Sequence, residues 1–263
     1  MIMRFFVAML VLVQAASVMA SDFDHQHSAF TALLQQHVRQ SSDATASTVN
    51  YAALKQDGAA LKKYLAALSA VQRKDFDGWS ADQQLAFLIN AYNAYTLALI
   101  VEHYPVSSIR KIGRLWENPW KLEFFRLFGK PMHLDRIEHE IIRQPGRFDE
   151  PRIHFAVNCA SVGCPALARE AYRADALDSQ LERSTRLFLS DRSRNRYDAD
   201  RKVLEISNIF DWYGVDFERF GGVAAWLASY AKLLADDPAG QRMIRSGTRI
   251  EFLDYNWGLN EHK

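Results

Sequence analysis

Between Leu85 and Val101 apolar side chains occupy nearly every position, interrupted only by Asn90, Asn93, Thr96 and two tyrosines. A helix that is apolar all round belongs in the centre of a fold. Ser80 with Gln83 three residues on is a capping box that opens this helix, and Pro105 stops it. Elsewhere the pattern thins to a single face. Phe30, Leu33, Leu34 and Val38 recur near helical spacing and predict a helix over residues 28–40. A small-residue loop follows over 41–47. Leu54, Leu61, Leu65 and Leu68 predict a second helix over 52–68, weakened by Gly58. Leu177, Leu181, Thr185 and Leu189 line up over 175–189, and residues 223–234 also read as helix.

The period then shortens in places. Residues 124–134 alternate around Gly129-Lys130, as a hairpin does. Residues 135–143 predict a short helix capped by Asp135, and Pro165 is placed to open another. Residues 153–157 predict a strand, 197–206 a second hairpin and 249–253 a last strand. Strands and helices do not alternate regularly, which favours α+β over a doubly wound sheet. The expected fold is a helix-rich single α+β domain with a small, mainly antiparallel sheet. A papain-like topology in permuted order is the specific candidate. The expected division is a signal peptide over 1–20, N-terminal helices over 21–78 packed on the core, and a main domain over 79–263.

Composition narrows the partners. The 263 residues carry 32 basic and 31 acidic side chains, a net charge of +1. No basic stripe of the kind nucleic acid requires is visible. The N-terminus has a short basic start, an apolar run over 5–16 and small residues up to Ala20, the pattern of a cleaved signal peptide; an uncleaved anchor is the alternative. Past Ala20 no segment reads as a membrane span, so the expected location is periplasmic or secreted.

Several segments together carry a family signature: Phe87-Leu88-Ile89-Asn90-Ala91-Tyr92-Asn93-Ala94, Leu134-Asp135-Arg136-Ile137-Glu138-His139, residues 151–165 with Asn158-Cys159 and Gly163-Cys164-Pro165, Ile209-Phe210-Asp211-Trp212-Tyr213, and residues 252–260. In this order the chain resembles the domain-of-unknown-function family 547, an uncharacterised bacterial and plant family, from about Trp79 to Asn260. The resemblance supplies no catalytic residues, so the chemistry is read from the side chains themselves.

Only two cysteines exist, Cys159 and Cys164. In an oxidising compartment such a pair is expected to form a disulfide. The competing expectation is a nucleophile: Cys159 at the end of a strand, with His139 or His154 as base and Asn158 or backbone amides holding an oxyanion. That arrangement would make the protein a thiol-dependent hydrolase or acyl transferase acting on a peptide or amide bond. A permuted papain-like enzyme also places its His and Cys in an unusual order, an analogy of order alone. Asn90, Asn93, Ser161 and Asp211 are the candidate substrate contacts, although Asn90 and Asn93 suit the pinning of a loop equally and Asp211 suits a helix cap. His133, His139, His154, Cys159 and Cys164 are metal-ligand types, but their spacing fits no standard zinc pattern; neither a metal nor a cofactor is expected. The alternative to an enzyme is an envelope binding or assembly protein with a structural disulfide, its ligand an unidentified small molecule or peptide.

Overall fold

The structure is a computed structural model and describes residues 23–262. The expected signal peptide lies outside the described residues. The chain opens with α1 (Ser28–His37), then β1 (Val38–Gln40) and β2 (Ser47–Val49), paired antiparallel. Here the helix expected to reach residue 40 stops at His37. Val38 to Gln40 are extended because they find strand partners in Ser47 to Val49, and tertiary pairing overrides a helical pattern that had only Val38 left to bury. α2 (Tyr51–Gln56) and α3 (Gly58–Ala70) divide what reads as one helix, with the break at Asp57 beside Gly58. α4 (Arg73–Asp77) has no counterpart in the sequence reading.

α5 (Ala81–His103) is the expected central helix. Its capping box is formed in both directions: the Gln83 amide donates to Ser80 Oγ, and the Ser80 amide to Gln83 Oε1. By length and composition α5 is apolar enough to cross a membrane, which corrects the reading that nothing past Ala20 qualifies; in the fold 83% of its most apolar window is buried inside the protein. Side chains from α1, α2 and α3 join those of α5 in one apolar core, with Phe30, Leu54, Leu68 and Phe87 all fully enclosed.

Next come β3 (Phe125–Leu127) and β4 (Lys130–Met132), the expected hairpin. α6 (Leu177–Ser190), β5 (Arg196–Asp198) and β6 (Val203–Ser207) follow, then α7 (Ile209–Trp212), α8 (Gly222–Ser229), α9 (Ala231–Leu234) and α10 (Pro238–Ser246). The last strand, β7 (Arg249–Leu253), runs parallel to β6, whereas β5 and β6 pair antiparallel. The fold class is therefore α+β, as expected. A second apolar cluster of Phe188, Leu204, Phe210, Phe217 and Trp226 fills this half.

Two expected elements differ. Residues 153–157 are not a strand: Pro151–Phe155 is a turn of 3-10 helix with proline at its start and the Glu150 carboxylate accepting from the Arg152 amide. The segment lies between the two cores, with Ile153 facing the first and Phe155 the second. Burial on both sides produced the apolar run that mimics a strand. Pro165 opens no helix either; the chain from 165 to 168 is irregular.

Candidate functional site

A cavity of about 240 Å³ opens at the seam between the two cores. Its floor comes from three places. α5 contributes Tyr92. The Arg136–Ile142 segment, a single wide π-helical stretch, contributes Glu138 and His139. The Pro151–Phe155 turn and the loop after it contribute His154, Cys159 and Cys164. Extra residues inside a helix re-aim the side chains beside them, and such bulges recur at functional sites. The Arg136–Ile142 segment is not capped by the Asp135 side chain; its first turn is met by His133, whose Nδ1 accepts from the Arg136 amide at 3.0 Å.

Cys159 and Cys164 are joined in a disulfide, with their Cα atoms 6.2 Å apart. The loop between them turns at Ala160, which is fully buried in the left-handed region at φ 61°. A non-glycine residue held there is strained by about 1 kcal/mol or more and persists because its surroundings fix it. The surroundings are visible. Asn158 Oδ1 accepts from the Ala160 amide, and Asn158 Nδ2 donates to the Pro165 carbonyl. The C-terminal segment then zips along the loop: the amides of Val162 and Gly163 donate to the carbonyls of Gly258 and Asn256, and the Asn260 amide donates to Ala160. This brings Tyr255 against the sulfurs. Its hydroxyl lies 3.0 Å from Cys159 Sγ and 3.2 Å from Cys164 Sγ. Gly163 leaves the room, since a Cβ there would come within 2.9 Å of the Tyr255 ring.

The polar floor is unusual. Glu138 is only 4% exposed, so its carboxylate meets a largely water-free setting. It faces the hydroxyls of Tyr92 and Tyr213, and burial together with that carboxylate pushes both phenols well above their ordinary proton affinity. Both therefore stay protonated and donate. His154 Nε2 donates to Asp216 at 2.6 Å, and Arg143 holds the same carboxylate through Nε and Nη2 at 2.6 and 2.9 Å. Burial pushes the Asp216 carboxyl up, but the hydrogen bonds from His154 and Arg143 outweigh it and hold the group well below the carboxylate range. Burial pushes the His154 imidazole down, against the opposing pull of Asp216, so it is neutral near pH 7. With Nε2 carrying the proton, Nδ1 is an acceptor, and it is buried with no hydrogen-bond partner among the described residues. The Tyr213 ring stacks on this imidazole at 3.9 Å. His139 sits at the rim beside Arg143 and Asp135.

Of the residues singled out from the sequence, Cys159, Cys164, His139 and His154 do meet in the cavity. The others are placed elsewhere. Asn90 bonds both the amide and the carbonyl of Tyr172. Asn93 donates to the Ala156 carbonyl and accepts from the Asn158 amide. Asn158 spends its side chain inside the cysteine loop, as described. Ser161 is buried and donates to the Cys159 carbonyl at 3.5 Å. Asp211 is exposed on α7 and does not line the cavity. Glu138, Asp216, Arg143 and Tyr255 were not picked out as site residues. Glu138 and Tyr255 carried a signal, each through its place in a motif of the family signature; Asp216 and Arg143 carried none. Among the described residues no three of His, Cys, Asp or Glu converge as a metal site.

The second side of the cavity is aromatic. Tyr255 packs at a tilt against both Trp212 and Trp257, with centroids 4.9 and 4.5 Å away, Trp212 stacks on Trp257 at 5.5 Å, and Trp120 meets Trp257 edge-on at 5.6 Å. These rings come from the segments after α5 and from the C-terminal tail, so the cavity is completed by parts of the chain far apart in sequence.

No curated protein and no solved structure matches the chain, so the permuted papain-like order has no structural relative behind it. Residues 76–189, which hold α5, the Glu138 segment and the cysteine loop, match the family model described as "Protein of unknown function, DUF547", the family that the sequence motifs resemble.

Proposed function

We propose that this is an exported, non-catalytic binding protein whose disulfide braces a pocket for a small molecule. The carrying observation is that the two cysteine sulfurs are paired with each other and form part of an aromatic cavity wall. A thiol engaged in a disulfide has no thiolate to offer a carbonyl. The pairing instead fixes the loop that holds Tyr255 and, through the C-terminal zipper, Trp257. The cavity lies just below the about 300–1,000 Å³ of common ligand sites, so the ligand is small. Export rests on the N-terminal pattern and on the survival of a disulfide.

Two measurements test this reading. The protein is purified from its native compartment without reductant, alkylated while denatured and weighed. An unchanged mass supports it; two added alkyl groups overturn it. Ligand-observed NMR with a fragment set then compares wild type with Trp257→Ala. Fragments that bind the first and not the second support a pocket, and none binding either removes it.

One observation favours a second reading, a thiol hydrolase or acyl transferase on a peptide or amide bond. Cys159 shares the cavity with His139 and with His154, whose Nδ1 is unpartnered. Reduction would free a thiol beside a possible base. Here the reduced wild type, but not Cys159→Ser, would release an amine from a peptide substrate; equal behaviour of the two removes the enzyme.

A further inference from the structure

We propose that the cavity takes a small organic cation, an alkylammonium or quaternary ammonium group, with Glu138 as its counter-ion and the Tyr255, Trp257 and Trp120 rings as its walls. The proposal rests on the binding reading above and names the ligand class.

The charge of the lining points one way. Its carboxylates are Asp135 and Glu138, and no Lys or Arg side chain lines it among the described residues. The imidazole of His154 is neutral near pH 7, because burial lowers its proton affinity. Arg143, just behind the floor, is already committed to Asp216 through two bonds. An anionic ligand would meet two carboxylates and no Lys or Arg in the lining, and the remaining imidazole there, His139, already lies beside Asp135. A cation would meet a carboxylate that is largely removed from water, where opposite charges attract more strongly than at a surface.

The walls fit the same ligand. The face of an indole or phenol ring is the negative end of its quadrupole and attracts an ammonium within about 6 Å of the centroid. Trp257 already carries the Arg110 guanidinium 5.2 Å from its centroid and the Trp212 ring at 5.5 Å, so a ligand cation would rely on Tyr255 and Trp120 and on the part of Trp257 left in the cavity wall. The Tyr92 and Tyr213 phenols lie beside Glu138 and stay protonated, so neither brings a second negative charge there. Aromatic rings and one desolvated carboxylate lining the same cavity are the components of a cation cage, in which rings cover the methyl groups and the carboxylate meets the charge.

The test is a tryptophan-fluorescence titration of the oxidised protein with choline and with its neutral isostere, 3,3-dimethylbutan-1-ol. Choline is expected to saturate, and the isostere to bind about tenfold more weakly or worse. Glu138→Gln is expected to weaken choline about tenfold and leave the isostere unchanged. Trp257→Leu is expected to weaken both. Circular dichroism melts confirm that each variant is folded. The proposal is overturned if the isostere binds as tightly as choline, or if Glu138→Gln, still folded, binds choline like wild type. It is also overturned if choline does not saturate while tetramethylammonium and methylammonium fail as well. In any of these cases the fragment comparison of wild type with Trp257→Ala still decides separately whether a pocket for another small molecule exists.

Discussion

Two sets of buried polar groups lie close together in this protein and are treated in opposite ways. On α5, Asn90 and Asn93 each use both ends of the amide on a backbone partner, at 2.7–3.0 Å. Beneath the cavity, His154 has one nitrogen on Asp216 and the other bare, and Glu138 is desolvated against two phenols. Buried polar groups are almost always satisfied within the protein, and an exception calls for an explanation. The asparagines are closed circuits that hold loops in place. His154 Nδ1 is left open among the described residues, beside a cavity that Glu138 also lines. Burial alone does not mark a site; incomplete satisfaction beside a cavity does.

The comparison breaks most visibly at Asn93. Replacing it by alanine leaves the Ala156 carbonyl and the Asn158 amide buried without partners. At about 1–3 kcal/mol for each orphaned group, Asn93→Ala should lose about 3 kcal/mol of stability or more. Urea unfolding at pH 7 measures this. A loss under about 1 kcal/mol would mean that water replaces the amide, and the asparagines would not be the closed circuits described.

Asp216→Asn comes next and probes the open set. It removes three charge-assisted hydrogen bonds, and the expected loss at pH 7 is about 2 kcal/mol. The pH dependence gives the sharper check. Asp216 has a depressed carboxyl, so its contribution is present above the unfolded carboxylate value of about 3.9 and is lost as pH falls toward the lower folded value. His154 has a lowered proton affinity in the fold. The unfolded chain therefore takes up that proton first, and stability declines below about pH 6.5. Glu138 and Arg143 also face His154 and share in the shift, and the Tyr213 ring stacks on its imidazole. Wild type should thus weaken in two stages on acidification. The gap between wild type and Asp216→Asn should hold to about pH 4 and close below it. Urea midpoints from pH 8 to 3 that keep a constant gap would show that Asp216 contributes by packing and not by charge.

The contrast between the two sets also explains what was legible in the sequence. Local signals were clear. The capping box of Ser80 and Gln83, the all-apolar α5 and the Gly129-Lys130 hairpin are each written within a few neighbouring residues. The wrong elements were those decided at a distance. Residues 153–157 look like a strand because both faces are buried, yet it is two separate cores that bury them. The cysteine pair was visible, and both outcomes for it were foreseen. The floor of the cavity was not. His154 meets Asp216 across 62 residues, and Cys159 meets Tyr255 across 96. In Ile137-Glu138-His139-Glu140 nothing local tells which of the charged side chains turns inward. The π-helical turn decides that Glu138 is buried while His139 and Glu140 are exposed.

The smallest expected effect on stability belongs to Gly163, and it tests whether the aromatic wall is held as tightly as the asparagine circuits. An added methyl at this position would lie 2.9 Å from the Tyr255 ring carbons. The backbone cannot recede easily, because the Gly163 amide is tied to the Asn256 carbonyl at 2.9 Å. The ring must therefore move, carrying its hydroxyl away from the two sulfurs and loosening its contact with Trp257. Overpacking of this kind costs about 1–3 kcal/mol in a full core. Tyr255 is only part-buried and stands at the cavity edge, so Gly163→Ala should sit near the low end, about 1 kcal/mol. Tryptophan emission should change, because Trp212 and Trp257 both pack on that ring. Tyr255→Phe is the control: it keeps the ring and removes only the hydroxyl, and it should leave the emission close to wild type. If Gly163→Ala unfolds like Asn93→Ala, the wall belongs to the core and the open and closed sets are not distinct. If it changes neither stability nor emission, Tyr255 is not seated against the disulfide as described, and the disulfide braces only its own loop.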